Sequence, residues 1–327
     1  MSPWKKIRHF FETALCRLLG WWIPHLTRRS CIHFANGIGT VAFMLDRRGR
    51  ELALANVECT LGAALTDGQR REIVHASYRN FARTMADLFW SPALVRPENR
   101  HWLQIVGFAH HRERLDRERR GAVIVSLHYG NWEWASLATA WAGFPALAVA
   151  ENFKNPSLNA IFKSLREVSG QTIIPQEKSM LRMLREVKRG GSAAFLADLT
   201  VAPSQASAVV RTFALEMCVS VLHGVLALRG NALVIPTVCL PKPDGTQVMS
   251  ALEPLDIPAD ATPAAVAQMC WDRYEPMIRA NPGLWMWPYK HFRYKPRETA
   301  ETYPFYSVPV DAFERLRGED PLKNISR

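Results

Sequence analysis

Gly121-Ala122-Val123-Ile124-Val125-Ser126-Leu127-His128-Tyr129-Gly130-Asn131-Trp132-Glu133 is the stretch whose reading decides the fold. Val123, Ile124 and Val125 form an apolar, β-branched run bounded by Gly121, the pattern of a buried strand. The run stops at a histidine, and Gly130-Asn131 then make a turn that opens a helix. His128 is therefore expected at a strand's carboxyl end, the edge where ligands bind in open α/β sheets. Glu133 falls in the first turn of the following helix, from which its carboxylate can fold back toward the imidazole. This spacing predicts an acid-base pair of His128 and Glu133. The alternative for His128 taken singly is a buried histidine that caps the next helix.

The flanking sequence repeats the alternation. A first strand is expected at 102–106, and further strands at 146–150, 171–175, 192–197 and 232–240. Helical segments are expected at 156–169, 179–188 and 216–228. The pattern predicts an α/β fold with a mostly parallel central sheet covered by helices. Asp198 ends the strand at 192–197, placing a carboxylate within reach of the imidazole or a substrate hydroxyl; alternatively it caps the turn in Asp198-Leu199-Thr200. No Gly-x-Gly-x-x-Gly follows a strand and no Walker loop occurs, so neither a nucleotide nor any other cofactor is expected. A Gly-x-Ser-x-Gly elbow is also missing, which leaves Ser126 a poor candidate for a nucleophile.

The chain has 327 residues, 48% hydrophobic and 22% charged, which suits a folded protein and argues against disorder. Its formal net charge of +11 favours nucleic acid, an anionic membrane surface or an acidic protein partner. No nucleic-acid motif accompanies the charge, whereas the 11 tryptophans suit a membrane interface. The six cysteines are widely spaced without Cys-x-x-Cys, a pattern of neither a zinc site nor a disulfide framework. His110-His111 on a charged helix are read as a solvated face, because helical neighbours point about 100° apart.

Trp4, Ile7, Phe11, Ala14, Leu15, Leu18 and Trp22 recur at helical spacing, with Lys5, Lys6, Arg8 and Arg17 between them, as in an interfacial helix. The apolar part contains Glu12, Arg17 and Pro24 and falls short of the roughly 20 residues needed to span a bilayer. It lacks a small-residue cleavage site, so a secretory signal is not expected. Farther on, Arg48-Gly49-Arg50 is expected to break the chain before a short helix at 51–59. Thr66 and Gln69 form a capping box for a helix whose apolar face carries Val74, Tyr78, Phe81, Met85 and Leu88, with Arg83 and Asp87 solvated.

His128-x-x-x-x-Glu133 resembles the acid-base motif of the glycerolipid acyltransferase superfamily, and His128-Tyr129-Gly130-Asn131-Trp132-Glu133 resembles the branch that adds late acyl chains to lipid A. Asn155-Pro156, Leu165-Arg166, Gly170 and Ile173-Ile174-Pro175 are similar to a second block of that branch. Asn281-Pro282-Gly283-Leu284-Trp285-Met286-Trp287 is similar to its closing Pro-Gly-x-Trp-x-Trp. The helices preceding the first strand resemble the family's preamble in arrangement. The chain departs from the family at Asp198-Leu199, where Asp-Gln is usual, at Ala150-Glu151-Asn152, where a tyrosine, arginine and proline are typical, and at Thr212-Phe213-Ala214, where a phenylalanine pair and glycine are expected.

The resemblance implies an O-acyltransferase, with His128, Glu133 and Asp198 as catalytic residues and Arg166, Gly130, Asn131 and Trp132 binding substrate. Glu133 would fix the imidazole tautomer, Arg166 would meet a phosphate, and backbone N–H groups of Gly130 and Asn131 would hold the developing oxyanion. The implied donor is an acyl thioester, acyl carrier protein or else acyl coenzyme A, and the acceptor a hydroxyl of a membrane lipid such as a lipid A precursor. The implied location is the cytoplasmic face of the bacterial inner membrane, with peripheral or monotopic attachment. Other readings are transfer to another glycolipid or a lysophospholipid, a thioester or lipid hydrolase, and a non-catalytic membrane-binding protein. The expected organisation is a helical membrane-associating region at 1–95, an acyltransferase core at 96–300 and a tail at 301–327, within one domain overall.

Overall fold

Along β2 (Ala122–Ser126) every residue is buried, and successive side chains enter opposite halves of the interior. Val123 and Val125 join one apolar cluster, Ala122 and Ile124 the other. A strand buried on both faces reads as a continuous apolar run rather than an alternating one, which is why this stretch was legible. In the computed structural model, which describes residues 2–62, 65–150, 152–175, 179–204 and 206–318, β2 lies at the middle of a seven-stranded sheet.

The other strands are β1 (Leu103–Val106), β3 (Ala146–Val149), β4 (Thr172–Ile174), β5 (Ser192–Leu196), β8 (Leu233–Pro241) and β9 (Gln247–Ala251), in the order β1-β9-β8-β2-β5-β3-β4. From β8 through β2, β5 and β3 to β4 every pairing is parallel, while β9 runs antiparallel to β8 and β1 parallel to β9. The sheet is thus mostly parallel, as expected. Register matters for the site: Ser126 pairs with Leu196, so the residues that follow β2 and β5 emerge side by side at the carboxyl edge.

Helices cover both faces. The amino-terminal part supplies α1 (Pro3–Trp22), α2 (Arg28–Leu45), α3 (Arg47–Leu61) and α4 (Asp67–Leu94), and α5 (Phe108–Glu118) follows β1. The capping box at Thr66 and Gln69 is formed as expected. The chain break before α3 is at Asp46, not at Gly49: the Asp46 carboxylate caps the helix by accepting the Gly49 N–H at 2.9 Å, and Gly49 lies in the first turn. Crossover helices α6 (Trp132–Trp141), α7 (Pro156–Glu167), α8 (Ser179–Lys188) and α9 (Leu222–Gly230), with α10 (Pro263–Ala280) after the last strand, complete the layers. Residues of α3, α4 and α10 share one cluster with the sheet, among them Val57, Tyr78 and Tyr274.

The helix expected at 216–228 is in part a strand. β6 (Ser207–Thr212) and β7 (Leu215–Ser220) form an antiparallel hairpin, and α9 starts only at Leu222. The turn residues Phe213 and Ala214 both have left-handed backbones, with φ of 53° and 64°, which gives the hairpin the twist its strands require. Past 296 the chain packs back: Tyr294 bridges to Val308, and Phe313 of α11 (Asp311–Gly318) is buried beside Tyr294.

Two polar expectations are corrected. Asp87 is not solvated but 2% exposed, gripped by Arg28 and receiving the Asn131 amide at 2.7 Å, while Arg83 is half-buried against Asn36. His110 is exposed, but His111 is buried, its Nε2 3.0 Å from the Leu252 carbonyl.

Candidate active site

His128 stands just beyond β2, where the backbone leaves the sheet. Its main chain is fixed from both sides, since its N–H donates to Asp198 Oδ2 at 3.0 Å and its carbonyl accepts the Met286 N–H at 3.1 Å. The imidazole Nδ1 lies 2.8 Å from Asp198 Oδ1. Asp198 is fully buried past the end of β5, and its Oδ2 also receives the Trp285 indole N–H at 2.8 Å. Burial by itself would push this carboxyl up, but the charge and hydrogen bond of His128, the neighbouring His291 and the Trp285 N–H outweigh it and hold it below its ordinary value. An ionised Asp198 makes Nδ1 the protonated nitrogen. Nε2 has no hydrogen-bond partner among the described residues, and the side chain is 14% exposed.

Glu133 does not hold the imidazole. It accepts a two-pronged ion pair from Arg166, Nε to Oε2 at 2.9 Å and Nη2 to Oε1 at 2.7 Å. The helix does place Glu133 in its first turn, but Arg166 from α7 claims both oxygens, and Asp198 from the adjacent strand meets the ring instead. Arg166 keeps Nη1 without a protein partner among the described residues.

The turn between His128 and α6 is packed too tightly to serve as an anion cradle. Gly130 donates its N–H to the Leu284 carbonyl at 3.0 Å, and Asn131 donates to the Cys239 carbonyl at 2.7 Å. Those two N–H groups are therefore unavailable to an oxyanion, contrary to expectation. Gly130 has φ of 68°, and a Cβ there would lie 2.1 Å from the Cys239 carbonyl oxygen, so only glycine fits. The Asn131 side chain is likewise committed, its Oδ1 capping α6 at the Trp134 N–H (3.0 Å) and its amide donating to Asp87. Asn131 thus builds the turn and presents no free polar atom to a ligand. Trp132 packs edge-on against the His128 ring at 5.1 Å and lies 5.9 Å from Phe81, which is 43% exposed.

Trp285 and Trp287 are both fully buried and pack edge to face, their rings 4.6 Å apart. Trp285 reaches Asp198, and His291 stacks on Trp285 at 4.0 Å. His291, absent from the expected site, is a buried neighbour of the Asp198 backbone; nothing in its sequence surroundings marks it. Asn155-Pro156 cap α7, and the Asn155 amide donates to α1 at the His9 carbonyl, 3.0 Å away. Glu151 lies outside the described residues.

A doubly covered sheet with a carboxylate-held histidine at its carboxyl edge defines an enzyme-like α/β scaffold with a positioned imidazole. The chain belongs to the bacterial lipid A biosynthesis acyltransferase family, whose model matches residues 5–294. It is also similar to a phosphatidylinositol mannoside acyltransferase of Mycolicibacterium smegmatis (strain ATCC 700084 / mc(2)155), 31% identical over 104 residues, which make up 32% of this chain and 34% of that protein. The chain thus matches about a third of the length of this relative.

Proposed function

We propose that this protein is an O-acyltransferase that moves a fatty acyl group from a thioester to a hydroxyl of a membrane glycolipid such as a lipid A precursor, with His128 as general base. The observation that carries this reading is the His128–Asp198 pair: Nδ1 is held at 2.8 Å by a buried carboxylate and Nε2 is left without a partner among the described residues. As the acceptor oxygen attacks the thioester carbonyl, Nε2 takes its proton. An alcohol is too weak an acid for imidazole to ionise beforehand, so the two events are concerted. The tetrahedral centre then collapses with cleavage of the C–S bond, and the Nε2 proton passes to the departing sulfur. Asp198 stabilises the transient imidazolium.

With Gly130 and Asn131 occupied, the N–H groups of Trp132 and Glu133, in the first turn of α6, are the remaining candidates to hold the oxyanion. Arg166, pinned by Glu133, offers Nη1 to a phosphate of donor or acceptor. Phe81 and Trp132 give the acyl chain an apolar wall beside the base. Among the described residues no helix is long and apolar enough to cross a membrane. The exposed stripe of α1, including Trp4, Phe11 and Leu18, supports peripheral attachment, for which we propose the cytoplasmic face of the inner membrane. Acyl carrier protein is the donor that the basic surface suits best, acyl coenzyme A the alternative.

The test supplies labelled acyl carrier protein and acyl coenzyme A, with and without lipid acceptors. Acceptor-dependent acyl lipid from the wild type and none from His128→Ala is the expected result. Free acid released equally with or without lipid would identify a hydrolase instead.

A further inference from the structure

Where α2 meets α3, the surface changes within one turn from apolar to basic. Val41, Met44 and Leu45 are 51%, 64% and 79% exposed, and Arg47 and Arg48 follow directly. Arg47, Arg48, Glu51, Leu52, Lys290 and Phe305 line a pocket of about 430 Å³, within the size range of small-ligand sites. Its charges do not cancel. Glu51 is engaged by Arg47 at 2.9 Å, while Arg48 and Lys290 have no carboxylate partner among the described residues. The Lys290 ammonium instead rests over the Tyr306 ring at 5.5 Å. Phe305, 73% exposed, and Leu52 supply apolar walls beside these cations.

A concave site with two cations that lack a carboxylate partner among the described residues, with apolar walls, and close along the chain to the exposed Met44 and Leu45, matches one kind of occupant: a phosphate joined to hydrocarbon. We infer that this pocket binds the phosphate headgroup of an anionic phospholipid, with the lipid tails lying over the exposed end of α2. It would be a lipid site separate from the one that carries the chemistry. Lys290 adjoins His291, which stacks on the Trp285 that holds Asp198, so a lipid here would seat the molecule on the bilayer through the segment that braces the active site. The inference deepens the membrane part of the proposed function and does not use its chemistry, so His128→Ala is expected to bind vesicles like wild type.

The experiment is cosedimentation of the full chain with phosphatidylcholine vesicles, with or without about one third phosphatidylglycerol, at about 0.15 M salt, where only close contacts retain much strength. Wild type, Arg48→Ala/Lys290→Ala and the charge-matched control Arg182→Ala/Arg185→Ala on α8 are compared, each checked for an unchanged melting temperature. The expected result is tighter binding to the anionic vesicles, weakened about thirtyfold in the pocket variant, the loss of two residues at roughly 1 kcal/mol per Lys or Arg near an anionic surface, and within about twofold of wild type in the control. Equal losses in both double variants would show diffuse charge attraction and overturn the inference. Unchanged binding of the pocket variant would overturn it as well, even if inorganic phosphate bound the pocket of the wild type. Should the double variant unfold, Arg48→Gln and Lys290→Gln are tested singly, each expected to lose about threefold or more, and no loss in either overturns it.

Discussion

At the scale of single residues, the arrangement around His128 makes Asp198 the group whose removal is most informative. Asp198→Asn keeps the size and the acceptor oxygen but removes the charge that fixes the Nδ1–H tautomer and opposes the imidazolium. Catalytic turnover is expected to fall by roughly 10³–10⁴, with KM within about threefold, as for other base-orienting carboxylates. Steady-state rates on labelled thioester check this, and a loss that appears only in KM would mean that Asp198 binds substrate rather than orienting the base. His128 was legible in the sequence because a β-branched run ending in histidine, glycine and asparagine announces a strand edge by local chemistry alone. Its partner was legible only as one of two carboxylates: Asp198 was placed within reach of the ring, but Glu133, near in sequence, was given the imidazole, and only the adjacency of β5 and β2 decides for Asp198. A second residue-level prediction concerns Ala214, exposed and held at φ of 64°. The left-handed conformation costs an L-residue about 1–2 kcal/mol, and glycine would escape it while losing about 0.4–1 kcal/mol to unfolded-chain entropy. Ala214→Gly is therefore expected to raise stability by about 0.5–1 kcal/mol, read from the urea midpoint.

Elements are joined at this site by ion pairs rather than by apolar packing alone. The Glu133–Arg166 pair ties α6 to α7, with the carboxylate 5% and the guanidinium 21% exposed. Removing one partner leaves a largely desolvated charge, which costs about 3–5 kcal/mol in a fully buried pair and somewhat less where Arg166 meets solvent. Glu133→Gln is expected to destabilise by about 2–3 kcal/mol, and Glu133→Gln with Arg166→Met by less than the sum of the single changes, as chemical denaturation of the four proteins in the cycle would show. If the effects simply add, the two side chains are not coupled and α7 is held by other contacts. Six of the seven strands of the main sheet were readable to within a residue or two, most plainly β2 and β8, where burial on both faces gives unbroken apolar runs, whereas β9, short and carrying Gln247 and Ser250, was not read as a strand. The β6–β7 hairpin was not, since Leu215–Ser220 is as apolar as a helix segment and the Phe213-Ala214 turn lacks the glycine or asparagine that usually marks such loops. Likewise the Asp87 carboxylate looked like the polar side of α4 until α2 and the turn after His128 closed over it. Which face of a helix is buried depends on what packs there, and that lies outside the helix's own sequence.

For the molecule as a whole, buried neutral histidines should set how stability responds to acid. His223, fully buried on α9 with Nε2 unpartnered among the described residues, is pushed down to about 4 because burial disfavours its charged form. His291 is lowered for the same reason, with Asp198 opposing. The folded chain therefore binds a proton at His223 less readily than the unfolded chain, whose histidine titrates near about 6.5. The stability this represents is complete above about pH 6.5 and is lost as the pH falls from there toward the folded value. Asp198, held below its ordinary value, adds a second loss only at lower pH, beginning near the ordinary carboxylate value of about 3.9, where the unfolded chain takes up its proton first, and completed as the pH falls through the lower folded value. The two limbs are separable because one begins near neutrality and the other only in the ordinary carboxylate range. Between pH 7 and 5 the His223 contribution amounts to about 2 kcal/mol. His223→Leu fills a similar space and cannot ionise, so its urea-denaturation free energy should fall by about 2 kcal/mol less than that of the wild type over this interval, while the steeper loss at lower pH persists. Parallel curves for the two proteins would move the origin of the neutral-side limb to another group, with buried His291 the first to be replaced.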